Sequence, residues 1–254
     1  MKLIFFGTTS AVQTANNTNV SFAIVHKNVA VLIDASGSPF QSLLHAKINA
    51  SELGALVLTH GHPDHLCALP SLIQSLSLVK RKKALKIICN QYTEKMAKQL
   101  LDIFDLSSES GIFPIEWIPA EIAAMECIPG VRLDTFPVNH SIPTSGVKLS
   151  TEASCLVYSS DTAPSERLVI ESIGATTLIH ESTGSDRHQS ELNADGHSSA
   201  LQAGIVAEKA GVDTLFLCHF NFELITSPES LKREASIAFG GKVIIPEPFQ
   251  FYTI

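Results

Sequence analysis

The run Thr59-His60-Gly61-His62-Pro63-Asp64-His65 places four potential metal ligands within six residues. His60 and His62, two apart on an extended turn, can face one cation, while Asp64 and His65, one step on, can face a second. One short loop thereby addresses two divalent metal ions, the equipment of a two-metal hydrolase. Mixed imidazole and carboxylate donors suit zinc first, with manganese or iron as alternatives.

The elements around this run decide where it stands. Residues 55–59 read as a buried strand, and from Asp64 through Leu78 leucines recur at three- and four-residue steps, the helical period, so the ligand loop joins a strand to a helix. Before it, 3–6, 21–26 and 29–34 read as strands, the last two forming a hairpin through Lys27-Asn28, and 39–47 as a helix. After it come a strand at 86–89, a helix at 93–104 and several short strands over the proline-punctuated stretch 113–148. Strands at 154–160, 176–179 and 214–218 then alternate with helices at 165–172 and 198–209, Ser198 standing where an N-cap belongs. A sheet-rich opening followed by strand and helix in alternation predicts an α/β fold of two sheets sandwiched by helices.

Open α/β sheets place ligands at the carboxyl ends of their strands. Here those ends carry chemically active residues throughout: His60, His140 after Val138-Asn139, Asp161, His180-Glu181, and His219. Any one of them could be a core residue; five together point to one shared site.

Composition narrows the function classes. A chain of 254 residues with 45% hydrophobic and 17% charged residues can bury a sizeable core, and residues 1–254 are expected to form one domain. No apolar run approaches the roughly 20 residues that span a bilayer, and the apolar start ends at Gly7, too early for a secretory leader. The five scattered cysteines form no Cys-x-x-Cys pair, which suits reduced thiols in a cytoplasm. A net charge of −7 argues against a general electrostatic grip on nucleic acid. The one basic run, Lys80-Arg81-Lys82-Lys83, reads as the solvated end of a helix, with an anion-binding patch as the alternative.

With these residues in view, the sequence resembles the metallo-β-lactamase-fold hydrolases, whose pattern is His-x-His-x-Asp-His followed by a distant His, then Asp, then His. The resemblance implies a four-layer αββα sandwich with the site at one edge between the sheets. It implies that His60, His62 and His140 hold one metal, that Asp64, His65 and His219 hold the other, and that Asp161 bridges them. Asp34 matches the family's first acidic motif; it would orient ligands rather than bind metal, a turn-forming role being the alternative.

Within that superfamily the likeness is to the tRNA 3′-processing endonucleases (ribonuclease Z) and related phosphodiesterases. It is carried by Gly7-Thr8, by Val157-Tyr158-Ser159-Ser160-Asp161-Thr162, by His180-Glu181-Ser182-Thr183 and by Gly196-His197-Ser198-Ser199. The resemblance implies that Glu181 and His197 protonate the leaving group while the metals lower the pKa of a water that attacks phosphorus, making Asp64, Glu181 and His197 the expected catalytic residues. It also makes a homodimer plausible.

Departures from that branch bear on the substrate. About twenty residues separate His140 from Asp161, leaving no room for the long basic arm that many tRNA-processing members insert there. Asn16-Asn17-Thr18-Asn19 lacks the basic and proline residues of the corresponding loop, and Phe220-Asn221-Phe222-Glu223 follows His219 without an arginine. An extensive grip on folded tRNA is therefore not expected, and a small phosphodiester, a cyclic nucleotide or short nucleotide derivative, is favoured. The alternatives are a thioester or lactone hydrolase of the same fold, against which the Glu181 and His197 pair weighs, and a non-catalytic binding subunit, against which the intact ligand set weighs.

Overall fold

The computed structural model describes residues 1–107, 111–121 and 124–254. The first sheet holds seven strands: β1 (Lys2–Gly7), β2 (Ser21–His26), β3 (Val29–Ile33), β4 (Leu53–Val57), β5 (Leu85–Cys89), β6 (Ile115–Pro119) and, from the far end of the chain, β14 (Phe251–Thr253), in the order β14-β1-β2-β3-β4-β5-β6. The second holds β7 (Met125–Ile128), β8 (Val131–Pro137), β9 (Ser145–Ser150), β10 (Cys155–Tyr158), β11 (Thr177–Glu181), β12 (Thr214–Cys218) and β13 (Lys242–Ile244), in the order β13-β12-β11-β10-β9-β8-β7.

Period-two alternation assembles the layers. Leu3 and Phe5 point into the space between the sheets while Ile4 and Phe6 point out beneath helices. In the second sheet Leu156 and Tyr158 face inward and Val157 outward. The inner layer is closed by aromatic contacts, including Phe22 edge-on to Tyr158 at 4.9 Å. Outside the first sheet lie α1 (Pro39–His45), α3 (Leu69–Leu78) and α4 (Gln91–Asp102); outside the second lie α5 (Glu166–Ser172), α7 (Ala200–Ala210) and α8 (Pro228–Ala238), with the short α6 (Gln189–Ala194) preceding α7 in the chain. The result is the αββα sandwich.

Strands β3, β4, β5 and β6 run parallel, as do β10, β11, β12 and β13, so within each group the carboxyl ends share one edge. The β2–β3 hairpin turns through Lys27 and Asn28, both with positive φ, as a two-residue hairpin requires. The strands expected over 113–148 are β6 to β9; residues 122–123 of that stretch lie outside the described residues. No helix among the described residues is long and apolar enough to cross a membrane.

Four local expectations are corrected. The helix expected over 64–78 is two: α2 (Pro63–Leu66) ends at Cys67, and α3 restarts because Pro70 lacks the amide hydrogen that would continue the ladder. Arg81 is not solvated; it is 8% exposed, and its guanidinium donates to the carbonyls of Lys83, Ala50, Leu53 and Ala84, riveting the loop after α3 to the start of β4. The N-cap of α7 is Ser199, whose hydroxyl accepts from the Gln202 amide, while Ser198 donates to the Thr162 carbonyl. His180 and Glu181 lie inside β11, which continues past residue 179 because these two residues stay paired with Leu217 and Cys218 of β12.

Candidate metal centre

The edge where the parallel strands end is built from short connections under constraint. Asp34 follows β3 and His219 follows β12, both with positive φ, and Ser160, also at positive φ, delivers Asp161 after β10. Left-handed backbone at three non-glycine residues costs about 1–3 kcal/mol each and persists where the surroundings over-determine it. Here those surroundings include the Asp34 amide donating to Val57, the Phe220 amide donating to Thr8, and the Ser145 amide donating to Thr59 from the other sheet. His62 is the N-cap of α2, Pro63 occupies its first position, and Asp64 and His65 lie in its single turn.

All seven residues expected to bind metal converge. His60, His62, His140 and Asp161 form one group of ligand atoms within 4.8 Å of one another, and Asp64, His65 and His219 form a second. His62 Nδ1 lies 3.1 Å from both His60 Nε2 and His140 Nε2. Asp161 Oδ2 joins the groups, standing 3.7 Å from His60, 3.4 Å from His65 and 3.1 Å from His219 at their Nε2 atoms. Asp64 Oδ2 lies 3.4 Å from His65 Nε2 and 3.7 Å from His219 Nε2.

The donor set fits metal ions. Ligands about 2.0–2.1 Å from a tetrahedral zinc stand about 3.3 Å from one another, close to the spacing of the three imidazoles. Ten buried side-chain nitrogen or oxygen atoms among the described residues lack a hydrogen-bond partner, and three of them, His65 Nε2, His219 Nε2 and Asp161 Oδ1, belong to the cluster. A buried polar atom left this way is costly unless something else satisfies it, and a cation coordinated at that point does so.

Four of the five clustered imidazoles, all but His62, are aimed from behind, where ligating histidines usually donate to a fixed acceptor. His65 Nδ1 pairs with Asp34 Oδ2 at 2.8 Å, His140 Nδ1 with the Gly196 carbonyl at 2.8 Å, His60 Nδ1 with Thr59 Oγ1 at 3.0 Å, and His219 Nδ1 with Thr183 Oγ1 at 2.9 Å. Asp34 is itself held by the Thr59 amide and hydroxyl at 2.8 and 3.0 Å. It orients His65, the first of its two expected roles.

Electrostatics follow from burial and pairing. Burial pushes the Asp161 carboxyl up, but facing His219 and His65 outweigh it and hold the group well below the usual range. Burial opposes charge on His65 and His219 as well; Asp161, helped by Asp34 at His65, nonetheless raises His65 well above the ordinary value and pushes His219 up to about 10. His60, His62 and His140 are lowered, chiefly by burial, and keep a free lone pair. Two imidazoliums thus supply in the metal-free chain the positive charge that the carboxylates demand.

Beside the cluster, Glu181 Oε1 accepts from His197 Nδ1 at 2.9 Å and from the Thr162 amide at 3.0 Å. Its Oε2 accepts from the Thr183 hydroxyl at 2.8 Å and amide at 3.1 Å. Burial raises Glu181, but His197 outweighs it and leaves the carboxyl below its ordinary value; the same contact overcomes burial at His197 and raises it. The contact therefore favours a carboxylate on Glu181 and a proton on His197. His180, also at this edge, stays apart from it: buried, with Nδ1 bonded to the Glu181 carbonyl. Cys218 is buried and outside both ligand groups.

Sequence reasoning gave no role to Thr59, Thr183 or Gly196, three residues that support the cluster. Thr183 and Gly196 stand in motifs quoted for the resemblance, but hydrogen-bonding threonines are common and nothing in the pattern names their partners. Gly196 has φ +83, and a Cβ there would meet His140 Nδ1 at 2.8 Å, so only glycine permits the close approach.

A family profile described as "Beta-lactamase superfamily domain" matches residues 30–220. The chain is 29% identical over 243 residues to Ribonuclease Z of Ignicoccus hospitalis, covering 77% of this chain and 80% of that protein. It superposes on YhfI of Bacillus subtilis, described as a metallo-beta-lactamase fold protein, with a TM-score of 0.83 at 20% identity, covering 99% and 98% of the two chains. It superposes on human tRNase Z, short form, with a TM-score of 0.79 at 18% identity, covering 100% and 99%. The chain belongs to the β-lactamase superfamily, with the metallo-β-lactamase fold, and is a metal-dependent hydrolase.

Proposed function

We propose that residues 1–254 work as one phosphodiesterase unit acting on a small nucleotide phosphodiester. In this reading His60, His62 and His140 hold one divalent metal ion, Asp64, His65 and His219 hold a second, and Asp161 is shared between them. Zinc is the first choice of metal, and Asp64 also counts among the catalytic residues. When bound, such ions supply Lewis acidity and lower the pKa of water.

The chain's own residues supply the rest. His197 carries a proton and gives it to the leaving oxygen, and Glu181, fixed by four hydrogen bonds, keeps that proton on His197 until it is needed. This pair is the observation that carries the reading: hydrolysis at phosphorus expels an alkoxide, which needs an acid. The ribonuclease Z relatives support a phosphodiester as the substrate class. The small size of the substrate rests on the acidic net charge and on the short span from His140 to Asp161. A homodimer is carried over from the resemblance alone.

The test is hydrolysis of bis(p-nitrophenyl) phosphate by protein of known metal content, beside Asp161→Ala and beside a thioester and a lactone. Phosphodiester turnover that requires about two metals per chain and vanishes in the variant is expected. Turnover of the thioester or lactone alone would transfer the assignment to carbon-centre hydrolysis.

A further inference from the structure

We infer that His197 is a ligand of the second ion in the substrate-free protein, an assignment that rests on the two-metal reading of the cluster. Besides the two groups already described, a third set of ligand atoms lies within 4.8 Å of one another, and it consists of Asp161, His197 and His219. Two of its three members are expected ligands. The other is the side chain given the proton-donor role.

His197 is mounted as His65 is. Its Nδ1 pairs with Glu181 Oε1 at 2.9 Å, and His65 Nδ1 pairs with Asp34 Oδ2 at 2.8 Å, each carboxylate being buried. A carboxylate behind an imidazole fixes which ring nitrogen is left for a cation and raises its basicity. The backbone holds the residue in the same place: the His197 amide donates to the Leu192 carbonyl at 2.7 Å, and the preceding Gly196 offers the carbonyl that orients His140. One short segment thus braces a ligand of the first ion and carries His197. The ring centroids stand 5.0 Å from that of His140 and 5.2 Å from that of His219.

The third set is not a seat for a third ion. His219 Nδ1 is bonded to Thr183 Oγ1, so Nε2 is the one nitrogen it can give to a cation. The groups Asp64-His65-His219 and Asp161-His197-His219 are therefore surroundings of a single ion, hinged on His219. Asp161 can take part in both, because its Oδ2 faces three imidazoles while its Oδ1 is buried without a hydrogen-bond partner. The His197 side chain is 19% exposed, against 3% for His219 and 2% for Asp161, so it is the member of the set that an entering substrate meets and can displace. Once displaced, its nitrogen takes up a proton from solvent and becomes the donor to the leaving oxygen.

Zinc affinity is measured by chelator competition on the full chain and on His197→Ala and His197→Gln. The visible absorption of the cobalt(II)-loaded proteins is recorded with and without dimethyl phosphate. One zinc ion of the two is expected to bind at least about tenfold more weakly in both variants, while the other keeps its affinity and shows that the fold is retained. A His197 that served only as a cationic acid would repel a neighbouring ion, so its removal would leave zinc affinity unchanged or raise it. Either result overturns the assignment. Cobalt spectra of the unaltered protein and His197→Ala should differ without the ester and converge once dimethyl phosphate is bound. Identical spectra without the ester overturn the ligand role and leave the acid role standing; spectra that stay apart with the ester bound retain the ligand role and remove the acid. Binding of a single zinc by the unaltered protein would overturn both this assignment and the two-metal reading.

Discussion

Asp34 accepts a hydrogen bond from His65 Nδ1 at 2.8 Å with both side chains buried, and that contact fixes which nitrogen of His65 faces the cluster. The carboxylate reaches His65 from a residue at φ +61 and is braced by Thr59. Asn tolerates that backbone better than other replacements, so Asp34→Asn removes the charge with little strain. Metal affinity is expected to fall about ten- to hundredfold while the fold is kept. Chelator competition measures it, and an unchanged affinity in a folded variant would remove Asp34 from the metal site.

The Glu181 and His197 pair makes the rate depend on pH in a definite direction. His197 is the proton donor, so activity falls as pH rises through its pKa, which Glu181 holds above the ordinary 6.5. Glu181→Gln removes the stabilising charge, and the alkaline limb of the profile should move to lower pH. His197→Ala should lose about 10²–10⁴-fold with an alkoxide leaving group and much less with p-nitrophenolate, which leaves without help. Equal losses on the two ester types would show that His197 is not the acid.

How far these features can be read from the chain depends on how local they are. Thr59 to His65 is legible because its ligands share one loop and chance rarely assembles them. His140, Asp161 and His219 are legible as strand ends because buried strands announce themselves by composition. Asp34 was ambiguous, since its partner His65 is 31 positions away and only folding brings them together. Thr183 and Gly196 needed coordinates for the same reason. Arg81 was misread because a basic run looks solvated until the carbonyls it captures are known. The three-residue β14 was missed because so short an apolar segment becomes a strand only through pairing with β1.

Gly196 supports His140 through its carbonyl and through the absence of a side chain. Gly196→Ala imposes a left-handed alanine, costing about 1 kcal/mol or more, and drives a methyl into the imidazole. The expected outcome is a lowered Tm together with weakened binding of one metal of the two. The loss should be greater than in Gly174→Ala, another left-handed glycine whose Cβ would meet nothing within 4 Å. Comparing these variants by thermal unfolding and metal content separates backbone strain, which both share, from displacement of His140.

Metal loading and proton release are linked by His65 and His219. Both are held protonated in the metal-free chain by the carboxylates they face, His219 up to about 10, and both must surrender a proton before Nε2 can bind a cation. Loading near neutral pH therefore releases protons, and affinity rises with pH while these groups remain protonated. The same shifts stabilise the metal-free fold. Because the folded pKa of His219 is raised, its contribution is complete below the unfolded value near 6.5 and is lost as pH rises towards about 10. With metal bound, those nitrogens no longer carry protons and this loss should disappear. Calorimetry in two buffers of different ionisation enthalpy measures the protons released, and thermal unfolding across that pH range with and without metal measures the stability. Metal uptake without proton release, or parallel stability curves for the two forms, would mean that His65 and His219 do not stand in for the cation.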